Sequence, residues 1–118
     1  MKKMFKYKRM AIDFDGTLVE DSKDIEKDFK NKKIPKAING AKEATLDFKK
    51  KGFEILIFTC RPDYHRPLME KILKKHKICY DYILFYTKPR VDIYIDNKGY
   101  RFENWQDTKQ YINFNLKK

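Results

Sequence analysis

Two cysteines in 118 residues, Cys60 and Cys79, are too few for a disulfide framework or a zinc site. They read as small buried side chains in a reducing compartment. No apolar run approaches the ~20 residues needed to cross a bilayer, so no membrane span or membrane partner is expected. The basic start, Met1 to Arg9, resembles the front of a secretory leader, but the apolar stretch behind it is cut short at Asp13, and the expected location is cytoplasmic. Repeats, linkers and low-complexity segments are missing as well. With 42% hydrophobic residues the chain supports one core, and residues 1–118 are expected to form a single domain. Acidic residues are also in short supply, 17 against 28 Lys+Arg, which leaves a formal charge of +11. That sign favours phosphorylated or polyanionic partners, nucleic acid among them, by long-range attraction. The charges are spread along the chain without a tight cluster, and an excess of Lys and Ile is what codon composition can produce unaided.

What is present is concentrated at one point. In Met10-Ala11-Ile12-Asp13-Phe14-Asp15-Gly16-Thr17 a short apolar run stops at two carboxylates spaced i, i+2 and a glycine. Arg9 to Ile12 reads as a strand buried on both faces, and the spacing points Asp13 and Asp15 the same way from its tip. Two carboxylates so placed repel each other unless a cation neutralises them or one holds a proton, and either condition suits metal binding or acid/base work. Gly16 lets the backbone leave the strand sharply, and the Thr17 hydroxyl can fix the turn. A solvated Asp-Gly turn is the plain structural alternative.

Along the chain, residues 18–34 are polar, with Val19, Ile25 and Phe29 as apolar anchors, and predict a loop or small hairpin over the strand tip. Pro35 suits the first turn of a helix whose apolar positions, from Ala37 or Ile38 through Ala41, Thr45 and Phe48, recur until Gly52. Phe53 to Phe58 predicts a second buried strand ending in Thr59-Cys60-Arg61-Pro62. Asp63 and Pro67 open a second helix with Leu68, Met69, Ile72, Leu73 and His76 on one face. Tyr82 to Tyr86 predicts a third strand, followed by Lys88, and Val91 to Ile95 a fourth ending in Asp96-Asn97. Tyr100 to Phe102 could pair at an edge, and Asn104 is placed to cap a last helix carrying Trp105, Tyr111 and Ile112. Neither His65 nor His76 has a second ligand at metal spacing, so both read as structural. Asp92, at the wrong end of its strand, reads likewise; Phe29, Tyr64 and Trp105 read as core or rim packing.

Alternating strands and helices predict an α/β fold with a mostly parallel sheet. Ligands gather at the carboxyl ends of such strands. Here those ends carry Asp13 and Asp15, Thr59, Lys88 and Asp96: carboxylates for a divalent cation, a hydroxyl and an ammonium, a set suited to a phosphoryl group.

In that order the residues resemble the haloacid dehalogenase-like superfamily of aspartyl-phosphate-forming phosphatases, over about Lys8 to Trp105. Asp13-Phe14-Asp15-Gly16-Thr17 matches the specific DxDGT motif; Thr59 at a strand end, the lone Lys88 and Ile93-Tyr94-Ile95-Asp96 match the other three, each weaker alone. The resemblance implies a three-layer Rossmann-like sheet flanked by helices. It also implies a Mg²⁺-dependent phosphomonoester phosphatase with Asp13 as nucleophile, Asp15 as general acid and base, and Thr59 and Lys88 on the phosphoryl group. The Asp13 carboxylate, the Asp15 carbonyl and Asp96 would hold Mg²⁺. The presence of Asp15 favours phosphoryl transfer over carbon–halogen cleavage. Asn97 stands where many relatives carry a second acid, although its amide still offers an oxygen. The third and fourth strands would flank the first, so their link must recross about three strand spacings of ~4.8 Å, which about five to seven residues at ~3.3 Å each just reach.

No cap domain fits at either usual insertion point, and an open site of this kind implies a macromolecular substrate such as a nucleic-acid end, a phosphoprotein or a glycan, or a lid supplied by another subunit. The alternative from another class is a non-catalytic phosphate- or nucleic-acid-binding module on the same fold.

Overall fold

The computed structural model describes residues 7–88, 91–96 and 98–116. Three strands, β1 (Arg9–Asp13), β2 (Glu54–Phe58) and β3 (Tyr82–Leu84), form a parallel sheet in the order β1-β2-β3. Helix α2 (Ala41–Lys50) connects the first pair and α3 (Arg66–Lys75) the second. A short helix, α1 (Ile25–Lys30), lies in the excursion after β1, and α4 (Trp105–Leu116) closes the described chain. No helix among the described residues is long and apolar enough to cross a membrane.

The register Met10↔Ile55, Ile12↔Ile57 and Ile57↔Ile83 aligns one set of apolar side chains on one face of the sheet. That face is closed: Ile12, Ile55, Ile57 and Ile83 join Ala44, Phe48, Met69, Ile72 and Trp105 in one buried cluster. The other face is open, with Arg9, Ala11, Tyr82 and Leu84 exposed. β1 is therefore covered on one face, not both as its apolar run suggested, because among the described residues no helix packs over its outer row. That row instead carries a polar ladder, in which Glu54 accepts from Arg9 Nε and from the Tyr82 hydroxyl, each at 2.8 Å.

Several expected boundaries move. The helix predicted from Pro35 begins at Ala41, since the preceding residues form an isolated antiparallel bridge, Val19↔Ala37, flanked by Glu20 N–H to Lys36 O at 2.9 Å and Ile38 N–H to Leu18 O at 2.9 Å. Gly40 turns the chain into α2 with φ +91, and a Cβ there would lie 3.0 Å from the Trp105 Cβ. The predicted loop over the strand tip contains α1, whose N-cap Asp24 accepts from Lys27 N–H. β3 stops at Leu84 because Tyr86 adopts a left-handed φ of 60 and donates its N–H to Arg61 O. Asn104 does cap α4, accepting from Asp107 N–H at 2.8 Å.

The fourth strand is absent among the described residues. Val91 to Ile95 lies outside the sheet, with Ile93 72% and Ile95 91% exposed. The link after β3 is the physical reason. Tyr86 N–H and Thr87 N–H are tied back to Arg61 O and Thr59 O, so the residues through Lys88 are spent folding over the end of β2 and do not recross the sheet. The predicted role of Asn97 lies outside the described residues.

Candidate active site

The turn after β1 is built by its own backbone. Phe14 O accepts from the N–H groups of Thr17, Leu18 and Val19, and Gly16, at φ +84, donates to Val19 O at 2.8 Å. From the other end of the chain, Trp105 Nε1 donates to Thr17 O at 3.0 Å and so fastens α4 to this turn.

Asp13 ends β1. Its Oδ1 accepts from Phe14 N–H at 2.9 Å, and its Oδ2 lies 3.1 Å from Lys88 Nζ. Burial pushes the Asp13 carboxyl above the ordinary value of 3.8; contacts with Lys88 and Phe14 N–H pull the other way, and the Asp15 charge adds to the rise. A carboxylate made more basic in this way, beside an ammonium, is suited to act as a nucleophile. The Lys88 ammonium also sits 5.0 Å from the ring centroids of Phe58 and Tyr94.

Asp15 is held differently. Arg61 grips it with a two-pronged fork, Nε to Oδ2 at 2.9 Å and Nη2 to Oδ1 at 2.7 Å, and the Arg61 side chain is 2% exposed. Thr59, buried at the end of β2, accepts from Arg61 N–H through its Oγ1 at 3.1 Å, so hydroxyl and arginine belong to one loop. Behind Arg61, its Nη1 meets His65 Nδ1 at 3.1 Å, and His65 Nε2 meets Glu26 Oε1 at 3.1 Å.

Asp13, Asp15, Thr59 and Lys88 thus gather at the carboxyl end of the parallel strands, as expected of ligand sites in such sheets. Asp96 makes no hydrogen bond or ion pair with these four. It lies in the exposed segment after the sheet, where its Oδ1 accepts from Lys98 N–H and Gly99 N–H, contacts that hold its pKa below the ordinary 3.8. Among the described residues no three His, Cys, Asp or Glu side chains converge on a possible cation position. The Asp13 carboxylate, the Asp15 carbonyl and Asp96 each offer oxygen to a hard cation.

Three residues of this region escaped the sequence reading: Arg61, His65 and Glu26. A weak signal existed for the first. The chain has five arginines, and one of them stands two residues after Thr59. His65 read as a loop residue and is fully buried, as structural as expected but far more connected. His76 is structural too, with Nε2 2.7 Å from Pro35 O. Both cysteines are free and partly buried.

No family model matches the sequence, and no curated protein matches it. Among solved structures the chain is similar to a crystal structure of a structural-genomics target from Vibrio cholerae, at 22% identity and a TM-score of 0.66, over 92% of this chain and 95% of that one. That likeness concerns the fold alone.

Proposed function

We propose that the chain is a phosphomonoester phosphatase working through an aspartyl phosphate on Asp13. The supporting observation is the pairing of a half-buried Asp13, its pKa raised, with Lys88 at one strand tip, beside a second carboxylate two residues on. In the proposed cycle an Asp13 oxygen attacks phosphorus while Asp15 gives its proton to the departing ester oxygen. Asp15 then takes a proton from water as that water attacks the acyl phosphate, restoring Asp13 and releasing inorganic phosphate. Lys88 and the Thr59 hydroxyl hold the phosphoryl oxygens. To meet substrate, Asp15 exchanges one prong of its Arg61 fork for the leaving oxygen.

Mg²⁺ dependence belongs to the same proposal, with Asp13, the Asp15 carbonyl and Asp96 as ligands; Tyr94, two residues before Asp96, lies beside the Lys88 that pairs with Asp13. The finer expectation of a three-layer, Rossmann-like domain goes with it. The net charge of +11 favours a polyanionic substrate, with nucleic-acid ends the leading variant; a Michaelis constant on oligonucleotides that rises steeply with salt would support it. That no three acidic side chains converge among the described residues favours the second reading, a module that binds phosphate without turnover.

The deciding experiment is hydrolysis of an aryl phosphate with and without Mg²⁺ by the wild type and Asp13→Asn. Turnover that Mg²⁺ stimulates and Asp13→Asn abolishes is expected; wild-type rates in Asp13→Asn would overturn the mechanism. Phosphate binding with no hydrolysis of aryl, oligonucleotide or phosphopeptide esters would establish the binding module.

A further inference from the structure

The groups behind Asp15 form a chain whose direction is dictated by chemistry. A guanidinium can only donate, so Arg61 Nη1–H donates to His65 Nδ1. The imidazole proton then sits on Nε2 and donates to Glu26 Oε1. The inner members are sealed from water, His65 completely. Glu26 is exposed and stands on α1, a helix with no buried residue of its own. α1 is tied to buried Ser22 through Asp28 Oδ2 at 2.7 Å and meets His65 directly: Phe29 stacks on the imidazole at 4.1 Å between centroids and 17° between planes, while Glu26 takes its N–H. Tyr64 completes the contact, its hydroxyl 2.8 Å from the same Glu26 oxygen and its ring edge-on to Phe29 at 5.2 Å.

We propose that docking of α1 on His65 positions Asp15, through Glu26, His65 and the Arg61 fork, so that His65 and Glu26 are positioning residues for the acid/base group. The role assigned to Asp15 rests on the phosphatase reading; the mechanical link from α1 to Arg61 does not. Arg61 makes three side-chain hydrogen bonds, two to Asp15 and one to His65. Remove the third and the guanidinium keeps only the Asp15 fork and the Phe14 ring, 5.3 Å from its central carbon, to hold it, and can shift with the carboxylate. Misplacement of a reacting group by about 1 Å costs on the order of a hundredfold in rate. Because the chain needs an acceptor, and not a charge, at its outer end, Glu26→Gln preserves it through the amide oxygen, whereas Glu26→Ala severs it.

The test compares Glu26→Ala, Glu26→Gln and Phe29→Ala, all substitutions on α1 outside the buried core, with the wild type. The first readout needs no activity: the ¹⁵N–¹H signal of the Arg61 Nε–H, slow to exchange with water while the fork is held. It is expected in the wild type and Glu26→Gln, and expected to broaden or exchange rapidly in Glu26→Ala and Phe29→Ala. The second readout is turnover of the aryl phosphate, with kcat lowered about tenfold or more in the same two variants, KM unchanged, and Glu26→Gln close to wild type. An Arg61 signal that persists unaltered in Glu26→Ala and Phe29→Ala overturns the inference. An inactive wild type overturns the phosphatase reading alone, since the Arg61 signal still decides this one.

Discussion

Phe53–Phe58 and Val91–Ile95 are alike on paper, each an apolar run with one acidic interruption, and they meet opposite fates. The first supplies the central strand, paired on both sides, with Ile55 and Ile57 fully buried. The second lies outside the sheet with Ile95 91% exposed. Composition does not separate them; their connections do. α2 returns the chain alongside β1 and delivers residues 54–58 in register with 9–13. Ahead of Val91 the chain is stitched to the end of β2 by Tyr86 and Thr87. A strand needs a neighbour to pair with and a layer to cover it, and a run that reaches neither gains nothing from its hydrophobicity.

The sharpest way to break this contrast is hydrogen exchange. Amides of residues 55–58 should open only with global unfolding, worth roughly 5–15 kcal/mol in a domain of this kind, while those of 91–96 should exchange with almost no protection. Protection of 91–96 would mean that the segment pairs in solution, and with it Asp96 would have a route to the strand tip. A smaller effect is expected from truncation. Ile57→Ala should cost about 2–5 kcal/mol in chemical denaturation, whereas Ile95→Ala should stay within about 0.5 kcal/mol. Equal costs would erase the distinction.

The smallest effect is one of pH, and it belongs to the tightly held side of the molecule. Burial is the main cause that lowers the His65 pKa from its ordinary 6.5, and the nearby Arg61 charge adds to it, against the opposing pull of Glu26 and Asp15. The unfolded chain therefore binds the proton first, and stability should fall as pH drops below about 6.5, by no more than about 1.4 kcal/mol per pH unit for one proton. His65→Gln should flatten that slope in a thermal-melt series from pH 7 to pH 5. An unchanged slope would assign the effect to another group.

How far the sequence carried the reading follows from the range of each interaction. The turn at Asp13-Phe14-Asp15-Gly16-Thr17 was legible because its hydrogen bonds run between residues a few positions apart. Thr59 and Lys88 were legible from their place just beyond apolar runs. The Arg61 fork joins residues 46 apart in sequence and the His65–Glu26 contact residues 39 apart, and nothing local in either neighbourhood announces its partner. The fourth strand was misjudged because periodicity reports what a segment would do if it had a partner, and is silent on whether the preceding link brings it to one. The open face of β1 was misread for a related reason: Ala11 looks the same in a run whether or not a helix lies above it.

The bond from Trp105 to Thr17 O gives the chain a schedule. Synthesis makes the aspartate-bearing strand before α4, and the brace for its turn comes 88 residues later. The turn that carries both aspartates is thus written well before the helix that finishes it, and a chain interrupted before α4 holds that turn unbraced.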